Sequence, residues 1–127
     1  MAPIFLDLDM VMRTHRSLIE RYGGSEGLRD AGLLHSAIAM AQATFGGEAL
    51  HPDLFAMAAA YLYHLVQNHP FIDGNKRTGA AAVIIFLDLN GIEIEADEEG
   101  LVELTLRVAS GQAGKHEVAE FFRRLAH

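Results

Sequence analysis

Apolar positions recur along this chain with the period of an amphipathic helix, and a few sharply polar turns interrupt them. The first run starts near Asp7 or Asp9 and carries Met10, Val11, Thr14, Leu18 and Ile19 as far as Tyr22, where Gly23-Gly24 ends it. Residues 23–29 read as a short linker. Asp30 opens a second helix as its N-cap, because its carboxylate can accept a bond from an N–H one turn in. Leu33, Leu34, Ala37, Ile38 and Ala41 then form a core-facing stripe. Asp53 caps a third helix that reaches about Asn68, and a fourth apolar run covers Ala80 through Leu89. Both are apolar on every side, which is the pattern of central helices surrounded by others. After Asn90-Gly91, the alternation of Ile92-Glu93-Ile94 reads as a single strand. Asp97 caps a fifth helix with Leu101, Leu104, Leu106 and Val108, and a last one carries Val118, Phe121, Phe122 and Leu125. The pattern predicts one compact all-α domain over residues 1–127, with about six helices and two of them buried at its centre.

Two stretches depart from this pattern. Gln42 to Pro52 loses the period around Thr44, Phe45, Gly46 and Gly47, so it is a loop or a short hairpin. Phe45 either anchors it in the core or leaves an exposed edge that a peptide could join by strand addition. The second stretch, His69-Pro70-Phe71-Ile72-Asp73-Gly74-Asn75-Lys76-Arg77-Thr78-Gly79, packs concentrated polar chemistry between the two most apolar helices.

Each residue of that second loop has a structural and a chemical reading. Pro70 disfavours helical geometry at the residue before it, so the incoming helix stops at His69. An imidazole there is free to face the loop, and histidine is suited to take a proton from a hydroxyl. His64, on the apolar helix, reads as structural. Phe71 plugs the loop into the core. Asp73 either caps the next helix or binds magnesium, whose sites use one or two carboxylates with substrate phosphates. Lys76 and Arg77 fall in the first turn of the outgoing helix, where cations conflict with the positive end of its dipole. A bound anion removes that conflict, with Gly74 allowing close approach and the N–H groups of Gly74–Arg77 turned towards it. Asn75 bonds a phosphate oxygen or holds the loop closed, Thr78 serves equally as a local cap, and Gly79 permits tight helix packing. Together these residues place a base beside an anion hole with a metal ligand between, the minimum for moving a phosphate-bearing group to a hydroxyl.

Composition narrows the setting. The chain has 127 residues, 50% of them apolar and 21% charged, which suits an ordered domain rather than a disordered one. It has no cysteine, so disulfides and thiolate metal sites are excluded. A net charge of −7 argues against nucleic-acid binding, which needs a basic face. The N-terminus shows no basic region followed by an apolar core, and no apolar run approaches the ~20 residues that span a bilayer. The expectation is a soluble cytoplasmic protein.

The loop from His69 to Gly79 resembles the signature of the Fic/Doc superfamily: a histidine, a phenylalanine two later, an acidic residue, Gly-Asn and a basic pair. The similarity is to its death-on-curing (Doc) branch, because Lys76 stands where Fic enzymes usually have a second glycine and Ala80 where they have a second arginine. It extends to Tyr22-Gly23-Gly24, Gly27-Leu28-Arg29-Asp30, Ala43 to Gly47 and Leu89-Asn90-Gly91. The resemblance implies a six-helix Fic fold, ATP and Mg2+ as co-substrate and cofactor, and a toxin of a toxin–antitoxin pair. It gives His69 the role of base, Asp73 that of metal ligand, Gly74, Asn75, Lys76 and Arg77 the phosphate contacts, and residues 42–52 that of a flap docking target peptide. Doc-type proteins are associated with phosphorylating elongation factor Tu, whereas Fic enzymes with the second arginine transfer AMP; a non-catalytic phosphate-binding module is the third reading. Autoinhibited Fic proteins carry Ser or Thr, three residues, Glu, then Gly or Asn. No stretch here completes that motif, and Glu99-Gly100 has Glu95 at the Ser/Thr position. Control is therefore expected from a separate antitoxin that covers a groove lined by apolar helix faces.

Overall fold

Four of the helices begin at an aspartate in the computed structural model, which describes residues 2–127. Asp7, Asp30, Asp53 and Asp97 accept the N–H of Met10, Leu33, Ala56 and Gly100 at 2.8–3.0 Å. Each bond satisfies one of the donors a helix start leaves unpaired. They open α1 (Leu8–Tyr22), α2 (Ala31–Ala39), α3 (Leu54–Asn68) and α5 (Glu98–Ala109). The other two helices, α4 (Asn75–Leu89) and α6 (Lys115–Leu125), follow Gly74 and Gly114 without a side-chain cap. These six are the α-helices among the described residues, in line with the all-α expectation.

The central pair is α3 and α4, which pack on each other more extensively than any other two elements. Ala58, Ala59 and Ala60 of α3 are fully buried, and their small side chains let neighbouring helices come close. Gly79 does the same from α4: a Cβ there would lie 3.0 Å from Val66 Cγ2 and 3.3 Å from the Leu62 carbonyl oxygen. Around this contact Leu62, Leu65, Val83, Phe86 and Leu87 are wholly removed from water, each contributing about 1.5–3 kcal/mol of apolar burial. The remaining helices pack around the pair: α2, α5 and α6 against α3, and α1 and α5 against α4. Tyr61 fixes the N-terminal segment, its hydroxyl accepting the Leu6 N–H at 2.9 Å, and burial pushes its pKa up to about 12. One side of α4 stays open, with Ile84 exposed and Ala80 and Ala81 half-buried.

The two irregular segments resolve differently. Thr44–Phe45 and Glu48–Ala49 pair as an antiparallel hairpin, β1 and β2, in register Thr44↔Ala49 and Phe45↔Glu48. Its turn residues Gly46 (φ 61°) and Gly47 (φ 84°) both occupy positive φ, as a two-residue hairpin turn of matching twist requires. Phe45 is 83% exposed, so it does not anchor the hairpin in the core. Ile92-Glu93-Ile94 forms no strand. It makes one antiparallel bridge, Ile94 to Ala126, flanked by Glu95 N–H to the Leu125 carbonyl and His127 N–H to the Glu93 carbonyl.

Candidate functional site

Helix α3 ends in a residue that ordinarily would be glycine. His69 has φ 51° and ψ 54°, the left-handed conformation, and is the one non-glycine at positive φ among the described residues. Helices often close this way, but with glycine or asparagine, because a Cβ is strained there. Arg29 secures the arrangement from across the chain. Its Nε donates to the His69 carbonyl at 2.6 Å and its Nη2 to the Asn68 carbonyl at 2.8 Å. The guanidinium fork thus satisfies two carbonyls at the end of α3.

The loop is clasped by the segment that the sequence reads as a linker. Arg29 and Asp30 N–H groups donate to the Pro70 carbonyl, and the Ile72 N–H donates to the Gly27 carbonyl at 3.1 Å. Leu28 and Phe71 form an antiparallel bridge between these bonds. The Ser25 N–H reaches the Asp73 carboxylate at 3.2 Å. Phe71 is buried, as expected of a plug, and stacks on the ring of His15 from α1 with centroids 3.8 Å apart and planes 5° from parallel. His15, itself buried, bonds the Asp73 carbonyl through Nε2 at 2.8 Å.

Asp73, Gly74, Asn75, Lys76 and Arg77 come together on one wall of a cavity of about 630 Å3 between α1, α4 and α5. Gly74 precedes α4 at φ 81°, and no side chain caps the helix, so its first-turn N–H groups are open to a ligand. Lys76 and Arg77 are exposed and carry no carboxylate ion pair among the described residues. The Arg77 guanidinium lies 4.6 Å above the Tyr22 ring, a cation–π contact that holds it at the cavity edge. His69 is exposed and lies outside the cavity lining. Thr44, Phe45, Gly46 and Gly47 are exposed and also outside it.

Several expected roles change on these contacts. Asp73 does not cap α4; Gly74 holds that position and the carboxylate accepts from Gly74 and Ser25 N–H groups instead. Thr78 is no cap either, being fully buried with its hydroxyl unpartnered. The Asn75 side chain is buried and holds the loop closed, accepting the Phe71 N–H and donating to the Phe71 carbonyl, both at 2.9 Å. Any contact it makes with an anion falls to its backbone. His64 is structural: Lys115 Nζ donates to its Nε2 at 3.2 Å and to that of His51 at 3.3 Å. Burial, then the Lys115 and His51 charges, lowers its pKa to about 4. His15 and Arg29 were invisible to sequence patterning, since they lie 58 and 40 residues from their loop partners.

No three His, Cys, Asp or Glu side chains among the described residues form a metal-ligand set. A magnesium ion needs less, since one carboxylate and substrate phosphates suffice. Asp73 fits that part, because the two bonds its oxygens accept leave about half of its roughly four lone-pair sites free.

The Fic/DOC family model matches residues 5–87. Over 76 residues the chain is 47% identical to Toxin Doc of Mycolicibacterium smegmatis, covering 60% of this chain and 58% of that protein. Over 111 residues it is 37% identical to Protein kinase doc of Escherichia phage P1, covering 87% of this chain and 86% of the relative.

Proposed function

Because the chain belongs to the Fic/DOC family, we propose that it is a Doc-like toxin that transfers phosphate from ATP to a hydroxyl of a target protein. Elongation factor Tu is the expected acceptor and the cytoplasm the expected place of action. The observation that carries the proposal is the start of α4: an uncapped helix end, two cations in its first turn with no carboxylate partner among the described residues, and a cavity in front of it. Helix N-termini of this kind favour phosphate, through both free N–H groups and the dipole.

In this reading the N–H groups of Gly74–Arg77 and the side chains of Lys76 and Arg77 hold the phosphate chain. Asp73 holds Mg2+, which when bound neutralises phosphate charge during transfer. His69 takes the proton from the attacking hydroxyl as its oxygen bonds the γ-phosphorus and ADP leaves. The strained backbone at His69 supports this assignment, since glycine would meet the fold's needs at less cost. Ala80 lines the same cavity where AMP-transferring relatives are expected to hold a second arginine, so that end of the phosphate chain is less tightly gripped. The hairpin, with both outer edges unpaired and Phe45 exposed, suits docking of an extended target segment.

An antitoxin supplied in trans completes the proposal. Leu18, Ile84, Leu101, Val102 and Leu106 line the same cavity, and three of them, Ile84, Val102 and Leu106, are exposed. An amphipathic helix laid there would bury them and obstruct the phosphate end. No helix among the described residues is long and apolar enough to cross a membrane.

The test is to incubate the chain with elongation factor Tu and ATP labelled at the α- or γ-phosphate, beside a His69→Ala variant. Label from γ alone, lost in the variant, supports phosphate transfer. Label from α assigns AMP transfer. Nucleotide binding without labelling of any acceptor assigns a phosphate-binding interaction module.

A further inference from the structure

We propose that His15 is a positioning residue for the phosphate-binding turn, acting through the peptide unit between Asp73 and Gly74. The inference rests on the phosphate-transfer reading for its effect on rate, and on the loop's geometry for its effect on conformation.

A carbonyl oxygen only accepts, so the 2.8 Å bond to Asp73 requires that His15 Nε2 carry the hydrogen. The peptide bond is planar and trans, so the direction of the Asp73 carbonyl also sets that of the Gly74 N–H. That N–H opens a turn whose residues line the cavity, and in this structure it bonds the Asp73 carboxylate at 2.8 Å. His15 therefore orients two elements at once: the amide that opens the phosphate-binding turn and, through the bond that amide makes, the carboxylate that would hold Mg2+.

The lock is needed because the position is otherwise free to turn. Gly74 sits at φ 81°, and glycine populates positive and negative φ about equally. A concerted rotation of Asp73 ψ and Gly74 φ would flip the peptide plane without moving either helix. The stack on Phe71 holds the imidazole plane, so Nε2 is aimed before any ligand arrives. The packing is close: a Cβ on Gly74 would lie 3.5 Å from His15 Nε2 and 3.2 Å from Ile19 Cδ1. His15 and Ile19 are one helical turn apart, so one face of α1 supports the whole turn.

The experiment compares His15→Phe, which keeps an aromatic ring on Phe71 but has no donor, with His15→Gln, whose amide nitrogen can restore the bond. Both are read by NMR of Asp73, Gly74 and Asn75 in the full chain, without nucleotide, and by turnover with ATP and Mg2+. His15→Phe should move the Asp73 carbonyl-carbon resonance and introduce microsecond-to-millisecond exchange at Gly74 and Asn75. It should lower kcat ~10- to 100-fold with the KM for the acceptor unchanged, the loss expected of a misplaced catalytic group. His15→Gln should recover most of both. Parent-like resonances at all three residues in His15→Phe overturn the proposal. Absence of transfer by the parent chain counts against the phosphate-transfer reading alone, and the NMR comparison then decides the role of His15.

Discussion

Asn75 closes the loop onto Phe71 with a two-way amide contact, its Oδ1 accepting the Phe71 N–H and its Nδ2 donating to the Phe71 carbonyl, both at 2.9 Å. Both residues are buried, so neither backbone group of Phe71 has water as an alternative partner. Asn75→Ala should therefore cost about 1–3 kcal/mol for each orphaned group. Asn75→Asp should cost at least as much, since a carboxylate would face the Phe71 carbonyl without a donor. Urea denaturation of the two variants measures both values.

Arg29→Met separates positioning from stability. The carbonyls of Asn68 and His69 lose their fork, but the contacts are exposed and water can replace it. The stability loss should stay near 0.5–1.5 kcal/mol. The His69 backbone loses its clamp, and transfer should fall ~10-fold or more. Arg29→Lys should restore little of the rate, because an ammonium cannot reproduce the planar fork. Turnover and thermal melting of the same samples test the separation.

How much of this was legible in the chain depends on the distance over which each cause acts. The aspartate caps are local: the sequence marks Asp30, Asp53 and Asp97, and it places the start of the first helix near Asp7 or Asp9, of which Asp7 is the cap. The loop from His69 to Gly79 is contiguous, so its concentration of polar groups stands out from the apolar helices on either side. What holds it is not contiguous: His15 and Arg29 reach it from α1 and from the turn before α2. Gly27-Leu28-Arg29 carries the punctuation of a linker, yet its backbone pairs with Pro70–Ile72. Short-range turn chemistry likewise suggested caps at Asp73 and Thr78, but the actual cap position falls at Gly74, and the Asp73 carboxylate turns to Ser25 and Gly74 N–H groups. Phe45 shows the same limit, since periodicity alone does not tell an anchoring aromatic from an exposed one.

The two imidazoles around Lys115, His51 buried and His64 half-buried, predict a pH dependence. His64 has its pKa lowered from 6.5 to about 4, first by burial and then by the charges of Lys115 and His51. His51 is lowered for the same leading reason. As pH falls from about 6.5 towards 4, the unfolded chain takes up protons that the folded chain refuses. Their contribution to stability should therefore decline through that window and level off below it. Melting temperature followed from neutral to acid pH should fall by several degrees, and His64→Gln should show a shallower fall.

The central claim is that His69 and the turn at the start of α4 act together to place phosphate on a protein hydroxyl. Its most direct measurement is the intact mass of purified elongation factor Tu after incubation with the chain, ATP and Mg2+, beside the same reaction with His69→Ala. The account predicts a gain of one phosphate that disappears with the variant. An adduct with the mass of AMP, or a phosphate adduct that persists with His69→Ala, would contradict it.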